Sequence, residues 1–272
     1  MVGQAIMKAP QTAIVIPARY GSTRFPGKPL AMLGGQTMLQ RVVDVAIKAV
    51  ADFDDVIIMV ATEDKRIADH CEKIGVKCVM TAPDCATGSD RALEAVQKSG
   101  RSVEFVINLQ GDAPFTPSDI ITKIIIESRR NPDIEVITPV HQLTWAALDA
   151  LREAKKTTPF SGTTVTVDRR DHALWFSKNI IPAIRGEPHM RADQKLSPVY
   201  QHIGLYGFHI DTLEQFCKLP QSHYEKLEGL EQLRLIENGI SIRTIQVKDT
   251  TAIHSGIDSP EDLKRAEALL RS

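Results

Sequence analysis

Residues 13–28 read AIVIPARYGSTRFPGK. Five apolar or proline positions, Ala13 to Pro17, form a run short enough and apolar enough for a strand buried on both faces. The chain then turns polar at once. Gly21 and Gly27 allow backbone N–H groups to approach an anion closely. Arg19, Arg24 and Lys28 place three cations within ten residues. A nucleoside triphosphate carries about four negative charges, and cations with amide donors in this density suit it. The spacing matches neither G-x-x-x-x-G-K-[ST] nor G-x-G-x-x-G. The segment predicts a phosphate-binding loop of another kind, at the carboxyl end of a strand.

Outward from this stretch, strands and amphipathic helices alternate. Met38 to Ala49 has apolar residues at helical spacing, Val56 to Ala61 reads as a strand and Arg66 to Ile74 as a helix. Lys77 to Thr81 follows as a strand, Ser89 to Lys98 as a helix, and Phe105 to Gln110 as a fourth strand. This order predicts a parallel sheet covered by helices, with ligands beyond the carboxyl ends of the strands. The second half reads differently. Strands are expected at 134–141, 163–168, 173–177, 203–209 and 241–247, with helices over Asp211 to Lys218 and Leu227 to Glu237. Residues 185–199, RGEPHMRADQKLSPV, read as a polar, mobile linker. The expected organisation is a flexible tail over 1–10, a nucleotide-binding half over 11–133, an acceptor-binding and dimerisation half over 134–250, and a return segment over 251–272.

Bulk properties narrow the class. The 272 residues are 43% hydrophobic and 25% charged, with a net charge of −1, so no basic footprint for nucleic acid is present. No apolar run approaches the roughly 18 residues of a membrane span, and the first residues lack a signal-peptide core. A cytoplasmic protein is expected. Cys71, Cys78, Cys85 and Cys217 include no C-x-x-C pair and are read as reduced structural thiols.

Two acids stand out. Asp112 follows the fourth predicted strand, and Asp258 precedes a helix start at Ser259-Pro260-Glu261. Mg²⁺ takes carboxylate, phosphate and water oxygens, so two aspartates brought together by the fold would hold the metal on a triphosphate. Asp258 also reads as a simple helix cap. Glu261 and Asp262 are first-turn carboxylates favoured by the helix dipole. His70, His141, His172, His189, His209, His223 and His254 are scattered and suggest no site.

Seven segments together resemble the 3-deoxy-manno-octulosonate (Kdo) cytidylyltransferases. They are IPARYGSTRFPGKPLA at 16–31, ATGSDR at 86–91, INLQGD at 107–112, ALWFS at 173–177, HIGLYGF at 202–208, LEGLEQLRLIENG at 227–239 and GIDSPEDL at 256–263. The likeness runs from about residue 12 to 270. It implies an α/β, Rossmann-like nucleotidyltransferase fold, with a mostly parallel central sheet and a smaller mixed α/β acceptor and dimerisation region. It also implies a homodimer, CTP as donor, Mg²⁺, and a place in lipopolysaccharide or capsule precursor synthesis. By the resemblance, Ala18, Arg19, Ser22, Arg24 and Lys28 bind the triphosphate. Thr87, Ser89, Arg91 and Gln110 meet the nucleotide, and Asp112 and Asp258 hold Mg²⁺. Lys178, His202, Tyr206, Glu231 and Gln232 face the acid sugar. Arg19 and Lys28, with the two aspartates, carry the catalytic charge.

This chain departs from the family pattern on the acceptor side. Ala113 stands where the family has glutamate, Thr164 where a lysine is expected, and Lys178 where an arginine is usual. Arginine and lysine differ at a carboxylate, because only arginine binds it as a fork. Kdo is the first choice of acceptor; the 8-amino analogue of Kdo, another acid sugar or a phosphonate stay open. Two rivals are a non-catalytic nucleotide sensor and an enzyme making a nucleotide-hexose. The latter needs a phosphate-binding pocket, for which residues 200–240 offer only Lys218, Lys226 and Arg234.

Overall fold

The computed structural model describes residues 11–21, 25–248, 256–257 and 259–271. Ser22, Arg24, Asp258 and the 1–10 segment, all singled out above, lie outside the described residues. The chain forms two compact units, one reaching Pro114 and including the C-terminal helix, the other running from Phe115 to Ile257. The division therefore falls before, not after, the helix that begins at Ser118.

The first unit contains β1 (Thr12–Pro17), the short ribbon β2 (Met32–Leu33) and β3 (Gln36–Thr37), α1 (Met38–Ala49), β4 (Val56–Thr62), α2 (Lys65–Lys73), β5 (Cys78–Met80), α3 (Gly88–Lys98) and β6 (Phe105–Asn108). Its main sheet has the order β5-β4-β1-β6, with every pair parallel. Ala13 to Ile16 are fully buried, which explains their unbroken apolar run: helices cover both faces of a parallel sheet. On α1, Leu39, Val42, Val43 and Ala46 face inward. Local signals set the helix starts. Thr37, Asp64 and Thr87 each accept a backbone N–H in the first turn of α1, α2 and α3, a contribution of roughly 1 kcal/mol per cap.

The second unit contains α4 (Ser118–Arg130), β7 (Val136–Thr144), α5 (Trp145–Ala154), β8 (Thr164–Val167), β9 (Ala173–Ser177), α6 (Glu187–Asp193), β10 (Leu196–His202), β11 (Tyr206–His209), α7 (Ile210–Lys218), α8 (His223–Glu228), α9 (Leu233–Glu237) and β12 (Ile242–Gln246). Its strands are mixed. β7 pairs parallel with β12 and antiparallel with β10 and β11, and β8 joins β10 to the outer strand β9.

Two expectations fail here. Residues 185–199 are not a linker but contain α6 and most of β10. Their polarity serves tertiary pairing. Arg152 of α5 makes two 2.8 Å hydrogen bonds to the Glu187 carboxylate, and Arg191 of α6 reaches Asp149 of α5. Trp145 donates to the Gln194 carbonyl at 2.8 Å. The helix expected over 227–237 is broken into α8 and α9. Gly229 caps α8 in the left-handed conformation, φ 63°, where glycine pays no Cβ penalty.

Candidate active site

The polar loop after β1 folds back on itself. Gly27 donates to the Tyr20 carbonyl at 2.8 Å, and Leu30 donates to that of Gly27 at 2.9 Å. Gly27 has φ +75°, and any Cβ there would sit 3.2 Å from the Tyr20 ring. The Arg66 guanidinium lies over that ring, 3.3 Å from its centre. Tyr20 thereby ties the loop both to Gly27 and to α2, and Lys28 reaches Asp112 beyond the end of β6.

A second close approach fixes the opposite wall. A Cβ at Gly111 would lie 2.6 Å from the carbonyl oxygen of Pro17. Only glycine lets the segment after β6 pass so near the end of β1. Between these walls lies a cavity of about 360 Å³, lined by Ala18, Arg19, Lys28, Thr87, Gln110 and Asp112, with Gly21, Gly88 and Gly111 as backbone surfaces. It sits beyond the carboxyl ends of parallel strands, as the strand order predicts. The N-terminus of α3 opens on it at Gly88, where the helix dipole favours an anion.

The side chains divide the work. Lys28 Nζ lies 2.7 Å from Asp112 Oδ2. Arg19 hydrogen-bonds the carbonyl of Cys85 and approaches that of Thr87, tying the loop after β1 to the turn before α3. The Thr87 hydroxyl works as a helix cap in a reciprocal box with Asp90. The turn itself is anchored by Glu94, which accepts the Ala82 N–H at 3.0 Å and the Cys85 thiol at 2.9 Å. The Cys85 and Lys98 hydrogen bonds pull Glu94 down to about 2. Burial, then the bond to Glu94, pushes the Cys85 thiol up to about 11, so this cysteine stays protonated. All four cysteines are free thiols.

Two residues expected at the nucleotide are set back from this cavity. Arg91 is fully buried. Its guanidinium pairs with Glu63 at 2.8 Å and hydrogen-bonds the Thr81 hydroxyl, so it joins the ends of β4 and β5 to α3. Ser89 is also buried and accepts from Asn108 at 3.4 Å. The sequence places both residues on the first turn of α3 but cannot show which face of that turn is inward.

The second unit gathers the five residues expected at the acceptor around the ends of β9, β10 and β11. His202 lies edge-on to Phe176, with ring centres 5.1 Å apart, and beside Tyr206 at 5.3 Å. Burial, reinforced by the Lys178 charge, lowers the imidazole to about 3, so His202 is neutral at ordinary pH. Burial and the Glu231 carboxylate raise the Tyr206 phenol. The buried Tyr206 hydroxyl and the buried Nε2 of Gln232 have no hydrogen-bond partner among the described residues. Buried polar atoms in that condition are costly unless a ligand or water completes them. Lys178 is partly withdrawn from solvent, and burial lowers its ammonium. Its Nζ donates to Thr163 Oγ1 at 3.1 Å, while its backbone N–H donates to Glu228 at 2.7 Å.

Thr164, the other departure, is stitched into the backbone. Its hydroxyl donates to the Asn179 carbonyl at 2.7 Å and accepts from Ile181 N–H at 3.1 Å. Sequence reasoning passed over Lys155. Its ammonium binds the carbonyls of Ser161, Gly162 and Lys178 at 2.6, 3.1 and 2.5 Å, and a lysine at the end of a helix gives no local sign of that role. Among the described residues, no three His, Cys, Asp or Glu side chains gather as a metal set.

A parallel sheet with a basic glycine loop, a helix N-terminus and the Asp112 carboxylate around one cavity defines a nucleotide-binding fold of the nucleotidyltransferase class. The sequence signature of the cytidylyltransferase family matches residues 13–244. A 3-deoxy-manno-octulosonate cytidylyltransferase of Maricaulis maris is 44% identical over 256 residues, covering 94% of this chain and 95% of that protein. One from Porphyromonas gingivalis is 38% identical, with 95% and 96% covered. A solved CMP:2-keto-3-deoxy-manno-octonic acid synthetase, complexed with CTP, superposes with a TM-score of 0.81 at 35% identity, covering 96% of this chain and 98% of that one. The chain belongs to the cytidylyltransferase family, within the branch of the 3-deoxy-manno-octulosonate cytidylyltransferases.

Proposed function

We propose that this protein transfers CMP from CTP to Kdo and releases pyrophosphate. The observation that carries the reading is the single cavity that brings Arg19, Lys28, Thr87, Gln110 and Asp112 together, in a chain 35% identical to a synthetase solved with CTP. The acceptor hydroxyl attacks the α-phosphorus in line. A new P–O bond forms as the hydroxyl proton passes to solvent, the bond to the β-phosphate oxygen breaks, and its pair of electrons leaves on pyrophosphate. Positioning and charge neutralisation carry such a step. Lys28 and Arg19 neutralise the phosphate oxygens, while the α3 N-terminus offers backbone donors to the same group.

Asp112 is the residue that would hold Mg²⁺, and Asp258, outside the described residues, is proposed as its partner. The Asp112 carboxylate at the cavity wall fits this ion, which is bound by one or two carboxylates plus phosphates. Mg²⁺ would supply Lewis-acid stabilisation of the phosphate oxygens.

On the acceptor side, Lys178 would meet the carboxylate, with Tyr206 and Gln232 donating to hydroxyls. The nucleotide-hexose alternative finds little support, because Arg234 is held by Glu225 through bonds of 2.8 and 2.5 Å. We also propose a homodimer working in the cytoplasm, where CTP is available. Support for the dimer comes from the outer strand β9, where exposed Leu174 adjoins Trp175, which packs on Tyr224 of α8. Pyrophosphate release from each of the four NTPs, against Kdo, its 8-amino analogue and other acid sugars, tests this function. Release confined to CTP with a sugar acid supports it; release with none overturns it.

A further inference from the structure

Thr138 is the third residue of β7, fully buried, opposite Thr244 of β12. Its Oγ1 is 2.9 Å from the Leu205 carbonyl oxygen, 3.4 Å from that of Ile203, and 2.9 Å from Nε2 of His202. A hydroxyl has one proton, and a carbonyl oxygen can only accept. One arrangement satisfies the close contacts together. The Thr138 hydroxyl donates to Leu205, and Nε2–H of His202 donates to the Thr138 oxygen. The reverse, a hydroxyl donating to Nε2, takes this donor away from the Leu205 carbonyl, and a buried acceptor left short is expensive.

A neutral imidazole carries one N–H, and the half-buried His202 is neutral. With the hydrogen on Nε2, Nδ1 is a bare acceptor. The rings of Phe176 and Tyr206 fix the plane of the imidazole. Among the described residues, the one hydrogen bond of the His202 ring is that to Thr138. A bare ring nitrogen can take a hydroxyl proton but repels a carboxylate.

We infer that Thr138 is a positioning residue that holds His202 as the Nε2–H tautomer, so that Nδ1 recognises a hydroxyl of the sugar acid rather than its carboxylate. Discrimination of this kind is strong, because a site built to accept a hydrogen bond rejects a ligand that lacks the donor. The role in turnover rests on the sugar-acid function proposed above; the tautomer itself does not.

The experiment uses the full chain labelled with ¹⁵N in its imidazoles. Two-bond ¹H–¹⁵N spectra distinguish a pyridine-type from a pyrrole-type nitrogen, and His202→Gln assigns the signal. The free protein is expected to show a pyridine-type Nδ1 and a pyrrole-type Nε2 at His202. A pyridine-type Nε2 would overturn the inference whatever the substrate proves to be. Thr138→Val should mix the two tautomers and raise KM for Kdo about tenfold, the worth of one hydrogen bond, with KM for CTP unchanged. Thr138→Ser should restore both. In a panel of singly deoxygenated acceptors, one should lose the same factor with the natural protein and lose nothing further with Thr138→Val. A folded Thr138→Val protein with an unchanged spectrum and unchanged KM for the sugar acid also contradicts the inference. If the valine variant does not fold, the spectrum of the natural protein and the deoxygenated panel still decide.

Discussion

Lys28 of the phosphate loop and Asp112 beyond β6 form an ion pair, Nζ to Oδ2, of 2.7 Å with side chains 13% and 29% exposed. Each is the natural partner of something else. The ammonium suits a phosphate and the carboxylate suits Mg²⁺. Here they neutralise one another at the cavity wall. Asp112→Asn is therefore expected to lower kcat at saturating Mg²⁺ by about 10²-fold or more, the scale for loss of one preorganised charge contact, while metal-free CTP still binds in calorimetry. Asp258→Asn is expected to behave alike. Near-natural kcat in either variant would remove that residue from the metal site.

Lys28→Ala removes a charge that strengthens its hold as pyrophosphate departs. The expected loss is about 10²- to 10⁴-fold in kcat/KM for CTP, with a circular dichroism spectrum like that of the natural protein. A loss confined to KM would show that Lys28 binds the ground state and transition state equally.

Much of this cavity was legible in the sequence. Apolar Ala13 to Pro17 followed by a glycine-rich basic loop could be read as a strand end facing an anion, because burial and charge leave direct marks on composition. Arg91 was not legible. A helix wheel shows that a residue is on a first turn, yet Glu63, its partner, comes from the loop after β4 and is 28 positions away. Residues 185–199 failed for a related reason. Arg191 and Glu187 look like solvated charges until α5 presents Asp149 and Arg152 to them. Thr138 carried no sign at all, since VITPV reads as any buried strand.

The neutral state of His202 gives a pH dependence of stability. Its folded value, about 3, lies below the ordinary 6.5. The unfolded chain then binds a proton that the folded chain refuses, and stability falls as pH drops from about 6.5 toward 3. His70 is shifted in the same direction, by burial and then Lys73, so only a difference is informative. His202→Gln is expected to flatten the fall of Tm between pH 6.5 and 4. An identical slope in both proteins would place His202 in a solvated setting.

The second unit contains a buried pair whose loss should be structural alone. Arg234 and Glu225 are 7% and 5% exposed and joined at 2.5 Å. Removing one partner leaves a buried charge, so Glu225→Ala should cost about 3–5 kcal/mol in urea unfolding. Replacing both, as Glu225→Leu with Arg234→Met, should cost much less. A double variant as unstable as the single one would mean that the pair has further partners of equal weight.

The most direct measurement is a ³¹P NMR time course of the protein with CTP, Mg²⁺ and Kdo. The signals of CTP should give way to those of pyrophosphate and of a phosphodiester linking CMP to the sugar, in equal amounts. ATP or GTP in place of CTP should react at least about tenfold more slowly. CTP that persists in the presence of Kdo, or purine nucleotides consumed at the same rate, would contradict the assignment of this cavity to cytidylyl transfer.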